Sequence, residues 1–460
     1  MKSAAAGNAD NRLREAVRPL SRRAAIQLMG AAAGGVALAA CAGGARSSSG
    51  SSSGRVELVY QDWRTEWFPQ MVQEMLDEFH ATHPAIRVYF VPDPENAVFA
   101  DRMLSDFQSG TAPDVFQGCC THFPIWAQRG YTLDLRPYVA ADLDRETIAD
   151  WDPVQYRSFF TREGLQYGLP KYHGALALYY NKDYFDELGV EYPDETWTHD
   201  DYRLAMERLI GDQDGDSKTD VWGSMIDISW DRVQIHVNAF GGHLVDPENP
   251  AKSTMCAPPA MAALQWLRER LWTDHVMATP PMVREPGTRE AFVAGKVAMV
   301  EDGSWALKDI LSGAPFRLGV SPLPAGPAGR VTLATTDGFG IFSGTRHPQE
   351  SWELLKFLIS KDYGRAMARA NFLQPARESL VEDWVGYIRK EFPQAAQDVD
   401  IAAFADGHRK GYSVVAEVFA NMETARRITD DAWAEILTYG RAPLENLAAA
   451  CSAIDAAQGG

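Results

Sequence analysis

Trp67, Met71, Val72, Met75, Leu76 and Phe79 recur at steps of four, one, three, one and three, which is one face of a helix, and Pro84 stops that helix. Val56–Tyr60 before it reads as a strand, and Ile86, Val88 and Phe90 after it alternate as another. A helix joining two strands through short connections is a βαβ unit. It implies a parallel sheet and places ligands beyond the carboxyl ends of the strands, where Asp62 and Trp63 stand. Ala175–Tyr180 is apolar at every position, as a strand covered on both faces is. Asn181 then opens a short helix with Tyr184, Phe185 and Leu188 on its apolar face, closed by Gly189. Gly168 and Pro170 break the chain ahead of that strand, leaving Lys171, Tyr172 and His173 in a bend that is either a plain loop or a hinge with a ligand contact. Met261, Leu264, Leu267 and Leu271 predict a helix opened by Pro259, and Trp352, Leu355, Leu358 and Ile359 one opened by Pro348.

The chain has 460 residues, too many for one ordinary core, so two lobes are expected. Its 62 acidic against 44 basic residues give a net charge of −18, which excludes a phosphate-backbone partner. Residues 1–40 are set apart. Arg12, Arg14 and Arg18 lead to Arg22-Arg23, an Ala/Gly-rich apolar run follows, and Leu38-Ala39-Ala40-Cys41 ends it. Paired arginines before such a run resemble a twin-arginine export signal, with ordinary Sec export also fitting. L-A-A-C resembles the lipobox in which cysteine, here Cys41, is acylated. Residues 1–40 hold six basic and two acidic groups, so cleavage there moves the net charge from −18 to −22. The segment 41–54 is then a lipid anchor and a Gly/Ser tether spanning about 20 Å. No later stretch approaches the roughly 18 apolar residues of a membrane helix.

Cys119, Cys120, Cys256 and Cys451 allow three disulfide pairings that sequence does not choose between, a vicinal Cys119–Cys120 bond among them. Asp212, Asp214, Asp216 and Asp220 form D-x-D-G-D-x-x-x-D, which can converge on Ca²⁺, although the EF-hand glycine and terminal glutamate are missing; an unligated acidic turn is the alternative. His80 and His83 lack a glutamate in metalloprotease register and read as the solvated end of the first helix. The acidic run Asp142–Asp150 reads as a solvated face.

Several segments occur in an order that resembles a known family. They are "YGLP" followed by "LYYNKDYFDELG", "GTAPDVF" at Gly110–Phe116, "W…N…GG" at Trp230–Gly242, and "FVAGKVAMVEDGSW" at Phe292–Trp305. Together they resemble the family 1 extracellular solute-binding proteins, the maltose-binding-protein-like sugar receptors of ABC importers, over residues 55–457. The resemblance implies an α/β, two-lobed periplasmic-binding-protein-like fold with a ligand cleft between lobes and three interlobe crossings. One lobe is expected from 55–172 with 325–370, the other from 173–324 with 371–457. The crossings fall at the bend before Ala175, at Phe316–Pro327, and at Asn371–Arg377.

It also implies a cleft in which tryptophan and tyrosine faces meet sugar rings while polar groups meet their hydroxyls. Trp63, Tyr172, Trp230 and Trp305 are the expected ring faces. Asp62, Asp114, Lys171, His173, Asn238, Asp337 and Arg377 are the expected hydrogen-bonding groups, with Gly303, Ser304 and Gly338 beside them. The implied protein is a monomeric, lipid-anchored receptor that captures a carbohydrate by hinge closure. It delivers its cargo to an ABC permease with a cytoplasmic ATPase, needs no cofactor, and works at the outer face of the cytoplasmic membrane or in the periplasm. Two other readings stand beside it. Lys171, Arg64 and Arg377 together would hold a glycerol phosphate or another anion, and paired carboxylates would serve a secreted glycosidase. No G-x-S-x-G, H-E-x-x-H or Walker sequence is present.

Overall fold

The computed structural model describes residues 54–95, 98–119, 121–212 and 215–458. The leader 1–40, Cys41, the spacer to 53, Cys120 and Asp214 lie outside the described residues. Among the described residues fourteen strands run in chain order: β1 Val56–Asp62, β2 Ile86–Pro92, β3 Val115–Gly118, β4 Leu169–Pro170, β5 Leu176–Asn181, β6 Trp222–Met225, β7 Val245–Asp246, β8 Asn249–Ser253, β9 Met277–Ala278, β10 Val297–Gly303, β11 Leu318–Ser321, β12 Thr332–Leu333, β13 Gly338–Ile341 and β14 Ser413–Val414. They form two five-stranded sheets, ordered β2-β1-β3-β13-β4 and β11-β5-β10-β6-β9, and two small pairs, β12-β14 and β7-β8.

The βαβ unit is present as its periodicity requires. β1 and β2 pair in parallel from Val56 opposite Ile86 to Asp62 opposite Pro92, and the helix Phe68–Thr82 buries Met71, Val72, Met75, Leu76 and Phe79 between them. That helix shares one face of the first sheet with the helices Pro348–Leu358 and Lys361–Asn371; Phe107, Phe116, Phe123 and Trp126 cover the other. The run Ala175–Tyr180 is apolar because both faces of β5 are covered. Leu176, Leu178 and Tyr180 enter one core cluster of the second lobe, and Ala175, Ala177 and Tyr179 the other. Asn181 caps the following helix through the Asp183 N–H, and Gly189 ends it at φ 59°. Leu188, expected on its apolar face, is 45% exposed.

Three segments pass between the lobes side by side. The first is Lys171–Ala175, tied to Ala334–Asp337 by Lys171 N–H to Asp337 O at 3.0 Å and Thr335 N–H to Gly174 O at 2.9 Å. His173 N–H reaches the third, at Gln374 O, over 3.2 Å. The second passage therefore lies at Ala334–Asp337 and not at Phe316–Pro327, because β11 pairs with β5 and both Leu323 and Leu333 remain in the second-lobe core.

The acidic run is also more than a solvated face. Asp142 accepts from the Trp352 indole at 2.7 Å, and Asp150 accepts from Ser379 Oγ at 2.7 Å. The segment Asp150–Gln155 clasps all three passages. Asp152 takes the His173 ring at 3.0 Å, and the wholly buried Gln155 donates to Tyr172 O at 2.8 Å and Thr335 O at 2.6 Å. Gln155→Leu leaves two buried carbonyls without a donor, so chemical denaturation is expected to show a loss of about 1–3 kcal/mol; an unchanged midpoint would contradict the clasp. His80 is likewise structural, its Nε2 accepting the Val88 N–H at 3.0 Å, while His83 stacks on Phe79 at 4.3 Å.

Of the three pairings, Cys256–Cys451 forms, joining positions 195 apart and fastening the C-terminal helix Leu447–Gln458 to the start of the helix Pro258–Trp272. Cys119 is a free thiol. Among the described residues no helix is long and apolar enough to cross a membrane.

Candidate functional site

The carboxyl ends of β1 and β2 and the first passage build the first-lobe wall. Asp62, wholly buried, accepts from its neighbour's N–H at Trp63 over 2.7 Å, from Tyr60 Oη, and from Lys171 Nζ. The Lys171 ammonium also lies 3.1 Å from the centre of the Trp63 ring, so one buried cation is shared by a carboxylate and an aromatic face. Burial lowers the Lys171 pKa, and Asp62 opposes that shift. Trp63 is half-buried, with Trp67, Phe68 and Tyr172 edge-on to it at 6.4, 5.4 and 5.4 Å. Lys171 is thus engaged within the wall, between Asp62 and the Trp63 ring. It holds the Trp63 ring in place.

Trp305 forms the second-lobe wall, directly after β10. A Cβ at Gly303 would stand 2.3 Å from its ring, and one at Gly174 in the first passage 2.8 Å, so two glycines let the indole lie flat against the backbone of both. Trp305 is half-buried and packs against core clusters of both lobes. The Arg232 guanidinium stands 5.6 Å from its ring and donates to Asp302 at 2.9 Å. Burial pushes the neighbouring Asp231 carboxyl above its ordinary range. Ser304 is buried, and its Oγ has no partner.

Behind the first wall sit two carboxyl groups held near neutrality. Asp93, accepting from Gln61 Nε2 at 2.9 Å and Gln117 Nε2 at 2.8 Å, is pushed up to about 7 by burial and by Asp62. Asp337 is pushed up to about 7 chiefly by burial, with Lys171 opposing. Both folded values lie above the ordinary carboxyl value, so between about pH 4 and 7 the unfolded chain binds fewer protons and stability falls as pH rises. The melting temperature should decline from pH 5 to pH 8. Asp93→Asn should flatten the decline, since the Oε1 atoms of Gln61 and Gln117 have no partner and an amide flip supplies the acceptor. A melting temperature that rises over this window contradicts the assignment.

The expected site residues thus divide. Asp62, Trp63, Lys171, Tyr172 and Asp337 share the first wall, and Gly303, Ser304 and Trp305 the second. His173 belongs to the clasp, and Gly338 opens β13, where a Cβ would meet Phe159 at 2.4 Å. Four others are placed elsewhere, each engaged in the fold. Asp114 accepts from Val59 N–H at 2.8 Å and Thr345 Oγ1 at 2.5 Å. Trp230 is 1% exposed and donates to Glu417 O. Asn238 Nδ2 donates to Gly242 O at 3.0 Å and Glu417 Oε1 at 2.9 Å, and Arg377 donates to Ile359 O at 3.0 Å and Thr147 O at 3.1 Å. Trp67 stands beside Trp63 and Arg232 beside Trp305, and neither was singled out from the sequence as a site residue; Asp231 and Arg232 directly follow the buried Trp230.

In the acidic loop, Asp212 accepts from the Gly215 and Ser217 N–H groups at 2.7 Å each, and Asp216 pairs with Lys218. Among the described residues no group of three or more His, Cys, Asp and Glu is placed to hold a metal ion.

Residues 62–365 match the model of a family described as bacterial extracellular solute-binding protein. A binding protein of Brucella abortus is 25% identical over 338 residues, 71% of this chain and 76% of its own. A diacetylchitobiose binding protein of Streptomyces coelicolor is 22% identical over 386 residues, 79% of this chain and 84% of its own. Among solved structures, an ABC substrate-binding protein from Listeria monocytogenes in complex with cycloalternan superposes with a TM-score of 0.74 at 22% identity, covering 88% of this chain and 99% of that one.

Proposed function

Because the chain belongs to the bacterial extracellular solute-binding protein family, we propose that its cleft captures a neutral oligosaccharide by closure of the lobes about the three passages and delivers it, unaltered, to an ABC permease with a cytoplasmic ATPase. The observation that carries this reading is Trp305, an aromatic face at the junction of both lobes, packed on the same first-lobe core cluster as Trp63, Trp67 and Tyr172 and flanked by Arg232. An apolar face beside oriented polar groups is what a sugar ring requires. The names of the relatives point the same way, one binding diacetylchitobiose and another solved with cycloalternan.

The anion reading has less support. Lys171 is buried against Asp62, Arg377 is spent on backbone carbonyls, and Arg64 pairs with Glu95 at 3.8 Å, so the three cations do not converge. We assign Cys41 as the lipid attachment that keeps the exported protein beside its permease.

Thermal melting of the purified protein with mono-, di- and trisaccharides, polyols and sugar phosphates tests the reading. A ligand at a hundred times its Kd adds about 2.7 kcal/mol. Stabilisation by a neutral oligosaccharide supports it. Stabilisation only by sugar phosphates, or silence from a folded sample, overturns it.

A further inference from the structure

His408, on the short helix Asp406–Lys410, stands at the clasp between two carboxylates, with 17% of its side chain exposed. Its Nδ1 lies 3.7 Å from Asp152 Oδ2 and its Nε2 4.0 Å from Glu378 Oε2, too far for hydrogen bonds but within reach of ion pairing. The buried Nδ1 has no hydrogen-bond partner. Both carboxylates are anchored to the first lobe. Asp152 caps the helix Pro153–Ser158 by accepting the Val154 N–H at 2.7 Å, and Trp151 before it lies in the first-lobe core. Glu378 closes the third passage, and its N–H is bonded to Asp150 O at 2.8 Å. The helix that carries His408 follows the 3₁₀ helix Ile401–Ala405, whose Ile401, Ala403 and Phe404 are buried in the second-lobe core. His408 therefore meets its two carboxylates across the junction of the lobes.

His173 faces the same Asp152 but is committed as a neutral ring. Gln374 Nε2 donates to Phe404 O at 3.4 Å, which orients the amide, and lies 3.2 Å from His173 Nδ1. An amide nitrogen only donates, so the network assigns Nδ1 as acceptor and places the ring proton on Nε2, toward Asp152. His408 has no such commitment. Asp152 raises its pKa above the ordinary histidine value, with burial and Arg409 opposing and Glu378 adding to the rise. The neighbouring cations are paired already: Arg409 donates to Glu378 Oε1 at 2.6 Å and Glu382 Oε1 at 3.5 Å, and Lys410 to Glu195 Oε2 at 2.7 Å with Asp406 at 3.1 Å. The lobes are together in this structure, with Ile125 of the first lobe packed on a second-lobe core cluster and Trp305 on the cores of both. Resting on the closure of the lobes about the three passages, we propose that His408 is a proton-operated latch, which holds the closed arrangement when charged and frees it when neutral. Opening carries the ring away from Asp152, so the closed form binds the proton more tightly than the open one. Closure is then favoured at acidic pH and weakens as pH rises through the His408 value of the closed form.

The test is small-angle X-ray scattering of the purified protein without cargo, fitted as a mixture of closed and open forms at about pH 6 and about pH 8. The closed-to-open ratio of the unmodified protein should fall about threefold or more over this interval. His408→Gln should show one ratio at both pH values, equal to that of the unmodified protein at the higher pH. Glu378→Gln, altered at a side chain that is 30% exposed, keeps the test open if the first variant fails to fold. It removes one of the two carboxylates, so it should lower the ratio more at the acidic pH than at the alkaline one. An unchanged ratio in the unmodified protein overturns the latch. A fall as steep in folded His408→Gln also overturns it, since Asp93 and Asp337, pushed up to about 7, would then be the responding groups. The readout needs no cargo, so failure of the oligosaccharide screen is distinguishable from failure of the latch.

Discussion

Trp305→Ala is expected to raise the Kd for the cargo oligosaccharide at least tenfold, about 1.4 kcal/mol, with the lobes still folded. The expectation comes from how the ring is held. Gly303 and Gly174 have no Cβ to displace it, Arg232 flanks it at 5.6 Å, and core clusters of both lobes pack on its edges. A rigid, half-buried indole gives a sugar ring an apolar face at little entropic cost. Trp305→Phe should lie between wild type and alanine, since a smaller ring on the same bed retains part of the stacking. Calorimetric Kd values with circular dichroism as a folding check settle the point; unchanged affinity in folded Trp305→Ala removes the residue from the site.

Asp62→Leu is expected to lower stability by about 3–5 kcal/mol, the range for breaking a buried ion pair from one side. Lys171, with none of its side chain exposed, would keep its charge opposite the Trp63 ring but lose the carboxylate that accepts from it. Lys171→Met should cost less, because Asp62 retains the Tyr60 hydroxyl and the Trp63 N–H as donors. The double replacement should recover part of the loss, as uncharged cores of similar volume tend to. Urea denaturation of the three variants measures this ordering. Asp62→Leu melting within about 1 kcal/mol of wild type would mean the pair is not the anchor of this wall.

The βαβ unit, the doubly covered β5 and the Phe292–Trp305 segment were all legible in the sequence because each rests on local periodicity or a contiguous motif. What escaped depends on partners distant in the chain. Lys171 looked like a cleft donor because its partner Asp62 is 109 positions away, and Trp230 and Asn238 looked ligand-facing because Glu417 is 187 and 179 positions away. The second passage was placed early because the Pro/Gly-rich stretch after β11 reads like a linker. In the fold that stretch stays with the second lobe, where Leu323 and Leu333 are 4% and 3% exposed. The clasp at Asp150–Gln155 was hidden for the opposite reason: a run of acidic residues resembles solvent-facing surface until the three passages converge on it.

The most direct measurement is a calorimetric titration of the purified protein with the neutral oligosaccharide that stabilises it most, followed by chromatography of the recovered ligand. The account predicts saturable one-site binding with a Kd of about 1 μM or tighter, near −8 kcal/mol, and ligand recovered unchanged. Cleaved ligand, or heat released only by phosphorylated or acidic solutes, would contradict it.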